Sequence, residues 1–76
     1  EEVIDVSPEV VLSAVQFNRF KLVVRQYLRK NGEATASDLR KALETTRRIL
    51  IPLLEKLDRD GVTARRGDVR VLRKAD

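Results

Sequence analysis

The side chains of this sequence best suited to bind a ligand are arginines clustered in its second half. They are Arg47, Arg48, Arg65, Arg66 and Arg70. A guanidinium group donates hydrogen bonds from a planar fork, which fits phosphate oxygens or the edge of a guanine base. The net charge of +4 also favours polyanions. The pattern therefore predicts a nucleic-acid-binding surface.

The composition excludes most kinds of catalytic or metal site. The 76 residues contain no Cys and no His, which rules out disulfides, Cys/His zinc sites and nucleophile–base pairs built on those residues. Asp58 and Asp60 have neither a metal partner nor a second acid at a catalytic position. No apolar run approaches the ~18 residues of a membrane span. We therefore expect no catalytic residue, metal, cofactor or membrane span in this chain, and the lack of Cys is compatible with a cytosolic compartment.

Two helices are predicted before the first arginine pair. Ser13 is followed three residues later by Gln16, and Thr35 by Asp38, which is the capping-box spacing of a helix start. Apolar residues recur at helical period from Ser13 until Gly32, which favours the left-handed conformation at a helix end. The pattern indicates a long first helix and a short second one.

A third helix carries the first arginine pair. Its apolar residues follow the i, i+3, i+4, i+7 spacing of one buried stripe, at Leu50, Leu53, Leu54 and Leu57. Thr45 or Thr46 should cap the helix through its hydroxyl. Pro52 has no N–H, so we expect a local bend or a tighter first turn. Arg47 and Arg48 then open the helix, where free N–H groups and the dipole already attract anions.

A β-hairpin follows the third helix and carries the other arginines. Residues 62–65 and 69–72 are predicted strands joined by Arg66, Gly67 and Asp68. The strand residues expected to face the core are Val62, Ala64, Val69 and Val71. Arg65, Arg66 and Arg70 would repel one another on this hairpin unless a phosphate backbone neutralised them. The cations of the first helix are assigned instead to a solvated face; they are Arg19, Lys21, Arg25, Arg29 and Lys30.

The element order defines the fold class. A helix, a short helix, a turn, a longer helix and a hairpin form a helix-turn-helix with a wing. We predict an α+β winged helix-turn-helix of three helices and a C-terminal β-hairpin over residues 13–76. Residues 1–12 form a similar Val-rich strand–turn–strand segment. We expect it to be the end of a preceding winged-helix repeat or a linker, in a chain that is part of a longer protein.

The sequence resembles the last winged-helix domain of the bacterial selenocysteine-specific translation elongation factors (SelB-type). The segments that carry the resemblance are Thr46-Arg47-Arg48, IPLLEKLDR at 51–59, Gly61-Val62-Thr63, RRGDVRVL at 65–72 and VSPEVVL at 6–12. The resemblance implies that this cytoplasmic domain binds, as a monomer, the mRNA hairpin that marks a UGA codon for selenocysteine. Carried over by position, Arg47 and Arg48 contact RNA from the helix, and Arg65, Gly67, Asp68 and Arg70 form the wing side. Arg66 would substitute from a neighbouring position for the arginine that the family has at Ala64. In that family, GTP, selenocysteyl-tRNA and the ribosome are bound through upstream domains, so the full-length protein is a translational GTPase.

Four positions depart from the family pattern, and two rival functions remain open. The family usually has Gly at Glu44, Arg at Ala64, Ser at Thr46 and an aromatic residue at Ile49. The first rival is a DNA-binding winged helix of a transcription regulator, which would insert Arg48 and Glu55 into a major groove. The second is a winged helix used only for protein–protein contact.

Overall fold

The computed structural model describes residues 2–73 as three helices and five strands. In chain order these are β1 (Val3–Ser7), β2 (Val10–Ser13), α1 (Ala14–Asn31), β3 (Ala34–Thr35), α2 (Ala36–Leu43), α3 (Arg47–Arg59), β4 (Thr63–Arg66) and β5 (Val69–Leu72). Helices α2 and α3 form the helix-turn-helix, and β4–β5 is the wing. The predicted α+β winged-helix fold is confirmed; residues 74–76 of the predicted 13–76 domain lie outside the described residues.

The predicted starts of the first two helices are confirmed at the level of single hydrogen bonds. The N–H of Gln16 donates to Ser13 Oγ at 3.0 Å. At α2, the N–H of Asp38 donates to Thr35 Oγ1 and the N–H of Thr35 donates to Asp38 Oδ2, both at 3.1 Å. Gly32 ends α1 at φ +86°, a conformation that glycine adopts without a Cβ clash. Local polar chemistry therefore fixes where both helices begin.

One apolar core joins all three helices. The four predicted leucines of α3 are fully buried, at 0% exposure each. Around them pack the buried residues of α1 and α2, which are Phe17, Phe20, Val24, Leu28, Leu39 and Leu43. This packing holds α3 in a fixed orientation, so its first residues stand at a defined place on the surface.

The leading hairpin belongs to the same core. Strands β1 and β2 pair with each other in a separate two-stranded sheet and pack against α3 and α1. Val6 and Val10 are buried in the cluster formed by the helices. The hairpin therefore borders α3, and its origin as the end of a preceding repeat stays a prediction.

The wing turns a different face to the core from the one that we predicted. Strand β5 lies between β3 and β4, and Arg65 pairs with Arg70 across the wing. Thr63 and Arg70 are the buried residues of β4 and β5. Ala64, Val69 and Val71 are only half-buried and lie outside the core cluster. The prediction is confirmed for Val62, which is buried in the core cluster. It is wrong for Ala64, Val69 and Val71, because the β5 sequence Val-Arg-Val-Leu places an apolar residue on each face and the alternation alone does not decide which face turns inward.

Candidate nucleic-acid interface

The first turn of α3 carries two arginines, and no side-chain cap occupies its free N–H groups. Arg47 and Arg48 are the first two residues of the helix and both are exposed. Thr46 is the N-cap residue, but its side chain makes no capping hydrogen bond, and the first turn contains no acidic residue. The predicted hydroxyl cap is therefore wrong. The first N–H groups of a helix have no partner within it, so this end of α3 combines partial positive charge with two guanidinium groups.

The backbone at this helix start is tight, as Pro52 led us to expect. The N–H groups of Ile49 and Leu50 both donate to the carbonyl oxygen of Thr46, at 3.2 and 2.9 Å. The first of these is a bond between residues three apart, which belongs to a 3₁₀-type turn. Helix α3 continues through Pro52 to Arg59. The arginines thus stand on a closed turn that is joined rigidly to the core.

A groove separates Arg48 from the leading hairpin. Its lining comes from β2 and the turn before it, and from the start of α3: Glu9, Val10, Val11, Leu12, Thr46, Arg48 and Ile49. The exposed Val11 gives this groove an apolar wall. The α3 end of the candidate interface is therefore concave, with a cation at its edge.

The wing tip supplies the second exposed group of cations. Arg65, Arg66, Gly67 and Asp68 are all exposed. Arg65 Nε donates to the carbonyl oxygen of Gly67 at 3.0 Å, and Gly67 has a φ of +60° that suits glycine in a tight turn. The bond uses only Nε, so the two terminal nitrogens of Arg65 stay available to a ligand. The turn therefore places two guanidinium groups at the exposed tip of the wing.

Arg70 does not join the exposed cations. Its side chain is only 10% exposed, and Nη2 donates to Asp58 Oδ2 at 2.9 Å. The contact that the sequence suggested for Arg70 is corrected to an internal ion pair, because a carboxylate at the end of α3 neutralises the guanidinium beneath the wing. From the sequence, Asp58 was considered only as an acid that lacks a metal or catalytic partner. Its position four residues after the buried Leu54 was the available signal that it lies at the edge of the buried stripe.

Helix α2 connects the two exposed arginine groups. Thr35 caps α2 and pairs with Val69, the residue that follows the wing turn. The wing tip therefore lies beside the start of α2, whereas Arg47 follows its end after Glu44, Thr45 and Thr46. An eight-residue helix is about 12 Å long. The two groups consequently flank the short helix at its opposite ends.

Glu44 adds a negative charge and a strained backbone beside Arg47. It ends α2 in the left-handed conformation, at φ 54° and ψ 45°, and it is the one non-glycine residue with positive φ in the described part of the chain. The family that the sequence resembles usually has Gly here, which adopts this conformation without the steric penalty of a Cβ. The departure noted in the sequence is therefore a conformational one as well as a change of charge.

Replacing Glu44 should separate these two effects. We expect Glu44→Gly to raise the free energy of unfolding by up to about 1 kcal/mol and to strengthen RNA binding a few-fold. Glu44→Gln removes only the charge, so it should strengthen binding without raising stability. Urea unfolding and RNA titration of both variants measure the two effects. A Glu44→Gln affinity equal to that of the original chain would show that this carboxylate does not act on the interface.

Two other kinds of feature are absent from the part of the chain that the structure describes. Among residues 2–73, no cluster of three or more potential metal-binding side chains occurs. In the same part of the chain, no helix has both the length and the apolarity that a bilayer crossing requires.

Comparison with known proteins identifies the same family throughout. The family model described as "Elongation factor SelB, winged helix" matches residues 26–72. A selenocysteine-specific elongation factor from Desulfomicrobium baculatum is 43% identical over 51 residues, which are 67% of this chain and 8% of that protein. The mRNA-binding domain of elongation factor SelB from E. coli, solved in complex with SECIS RNA, matches with a TM-score of 0.84 and 28% identity, over 95% of this chain and 60% of that chain. The chain thus spans a small part of its full-length relative, and it belongs to the elongation factor SelB winged-helix family.

Proposed function

We propose that this chain is the RNA-binding winged helix of a selenocysteine-specific elongation factor. It recognises the selenocysteine insertion hairpin of an mRNA and so directs recoding of UGA during translation. The observation that carries the proposal is the uncapped start of α3 with Arg47 and Arg48, in a fold whose E. coli neighbour was solved with SECIS RNA. A capped or acidic helix start would not attract a phosphate in this way.

The contacts follow from the shape of an RNA hairpin. An A-form major groove is too deep and narrow for a helix to enter. The domain therefore meets the ribose-phosphate backbone with the start of α3 and with the wing, and reads a base only where a loop or bulge exposes one. Arg47 and Arg48 form the first contact group, and Arg65 and Arg66 the second. Gly67 and Asp68 shape the turn that presents the second group.

The rest of the protein's work belongs to parts outside this chain. The family implies GTP binding, selenocysteyl-tRNA delivery and ribosome contact by upstream domains in the cytoplasm. We assign none of these to residues 1–76 and propose that the domain binds its hairpin as a monomer.

Comparing the affinity of the domain for RNA with its affinity for DNA tests the proposal. We expect a SECIS RNA hairpin to bind at least tenfold more tightly than a DNA duplex of the same stem sequence at one fixed salt concentration, a difference of about 1.4 kcal/mol. Titration of both by fluorescence anisotropy is the measurement, with a base-scrambled RNA hairpin as the control for non-specific charge. Preference for the DNA duplex would instead support the transcription-regulator function. Weak, salt-independent binding of all three would support a protein-contact role.

A further inference from the structure

One carboxylate holds both strands of the wing against α3. Asp58 lies near the end of α3, and its Oδ1 accepts the hydroxyl hydrogen bond of Thr63 on β4 at 2.6 Å. Its Oδ2 accepts from Arg70 Nη2 on β5 at 2.9 Å. Thr63 is fully buried and Arg70 is 8% exposed. The two bonds are the side-chain hydrogen bonds that the described residues show between the wing and α3, and Leu72 of β5 adds an apolar contact with the core.

A contribution to stability alone does not explain the ion pair between Asp58 and Arg70. Arg70 Nε is buried and has no hydrogen-bond partner within the described residues. Burying a guanidinium with an unpaired N–H is unfavourable, and an apolar residue of similar size often serves a core equally well. Directed hydrogen bonds, in contrast to apolar contacts, define an angle between the elements that they join. The arrangement is therefore better explained by the geometry that it imposes.

The elements that Asp58 links, α3 and β4, each carry one of the two exposed arginine groups. Asp58 belongs to α3, the helix that Arg47 opens. Thr63 belongs to β4, the strand that ends in Arg65 and Arg66. A rotation of the wing about α3 would move the second arginine group while leaving the first in place. The orientation of the wing consequently decides whether one RNA backbone can contact both groups.

We propose that Asp58, Thr63 and Arg70 are positioning residues for RNA recognition. They fix the angle between the wing and α3 so that Arg65 and Arg66 meet the same hairpin as Arg47 and Arg48. This inference rests on the proposed function and adds three residues that do not themselves contact RNA. Preorganisation of this kind strengthens binding because less freedom is lost when the ligand is bound.

Double-mutant cycles with a SECIS RNA hairpin test the inference. Asp58→Asn keeps the side-chain size but leaves one acceptor oxygen for two donors. Thr63→Val removes only the hydroxyl of β4, and Thr63→Ser keeps it. Each is combined separately with Arg65→Ala and with Arg47→Ala, and the affinity of every variant for the hairpin is measured. Thermal unfolding by circular dichroism establishes that each variant is folded at the titration temperature.

The expected result is that the Arg65→Ala effect depends on Asp58 and Thr63, whereas the Arg47→Ala effect does not. In the original chain, Arg65→Ala and Arg47→Ala should each weaken binding about tenfold, as expected for a charge-assisted hydrogen bond. In the Asp58→Asn and Thr63→Val backgrounds, the Arg65→Ala effect should fall below about twofold, while the Arg47→Ala effect stays about tenfold. Thr63→Ser should restore the full Arg65→Ala effect.

Two other outcomes are distinguishable. If Asp58→Asn and Thr63→Val lower the melting temperature but leave the Arg65→Ala effect at its original size, the three residues are structural only and the inference is overturned. Thr63→Val keeps this test valid even if Asp58→Asn does not fold. If neither arginine affects RNA binding in the original chain, the proposed function itself fails.

Discussion

Replacing Arg47 and Arg48 together with alanine should weaken binding of a SECIS RNA hairpin by about 100-fold or more. Each guanidinium is expected to make a charge-assisted hydrogen bond worth about 1.5–3 kcal/mol, and about 1.4 kcal/mol corresponds to a factor of ten. Both side chains are exposed, so their removal leaves the core intact. The melting temperature should therefore change little while affinity collapses.

Salt dependence gives this variant a second, independent readout. Each phosphate contact that is lost should reduce the slope of log affinity against log salt by about one, so the double variant should lose about two. Titrations between about 50 and about 200 mM salt cover the range in which the slope is well measured. A large loss of affinity with an unchanged slope would mean that these arginines contact bases or stabilise a conformation rather than bind phosphates.

A matched control exists on α1. Arg19 and Arg29 are both exposed and were assigned to a solvated face, and replacing them with alanine changes the net charge by the same amount. This control should weaken binding less than about threefold, through the long-range field alone. Equal losses from the two double variants would show that the domain binds RNA by diffuse charge, and the interface assigned here would be wrong.

The helices could be predicted because their signals act over a few residues. A cap joins residues three apart, as at Ser13 and Thr35, and a buried stripe repeats every three or four residues, as in α3. The exposed arginine pairs could be found for the same reason, since a charge at a helix start or in a tight turn has few ways to be buried. Thr46 shows the limit of such rules. The carbonyl of Thr46 accepts two N–H groups that close the turn, whereas its hydroxyl makes no capping bond.

The missed features depend on residues that are distant in the chain. Asp58 and Arg70 are 12 positions apart, and no local period indicates that a carboxylate on α3 will face an arginine on β5. The face that the wing turns inward depends on this same pair, because a buried arginine is tolerated only opposite its acceptor. Similarly, the burial of Val6 depends on α3 and not on the hairpin's own sequence. Tertiary contacts therefore decided the roles of Arg70, Asp58 and the leading hairpin.

Leu54→Ala should remove most of the free energy of unfolding of the domain. Leu54 is fully buried, at 0% exposure, and truncation of such a leucine costs about 3 kcal/mol. A domain of this size has only about 3–5 kcal/mol of stability. Far-UV circular dichroism during urea unfolding should show the loss. Leu22→Ala, at a leucine that is 56% exposed, should change the free energy of unfolding by less than about 0.5 kcal/mol.

The same variant connects the fold to the proposed ligand. RNA that binds only the folded domain stabilises it by mass action, by about 2.7 kcal/mol when the RNA is present at about 100 times its dissociation constant. A SECIS RNA hairpin should therefore restore most of the free energy of unfolding lost in Leu54→Ala. It should restore only about 0.4 kcal/mol when Arg47 and Arg48 are also alanine, since binding weakened about 100-fold leaves the RNA near its dissociation constant. If RNA stabilised both variants equally, it would bind the folded chain without using Arg47 and Arg48.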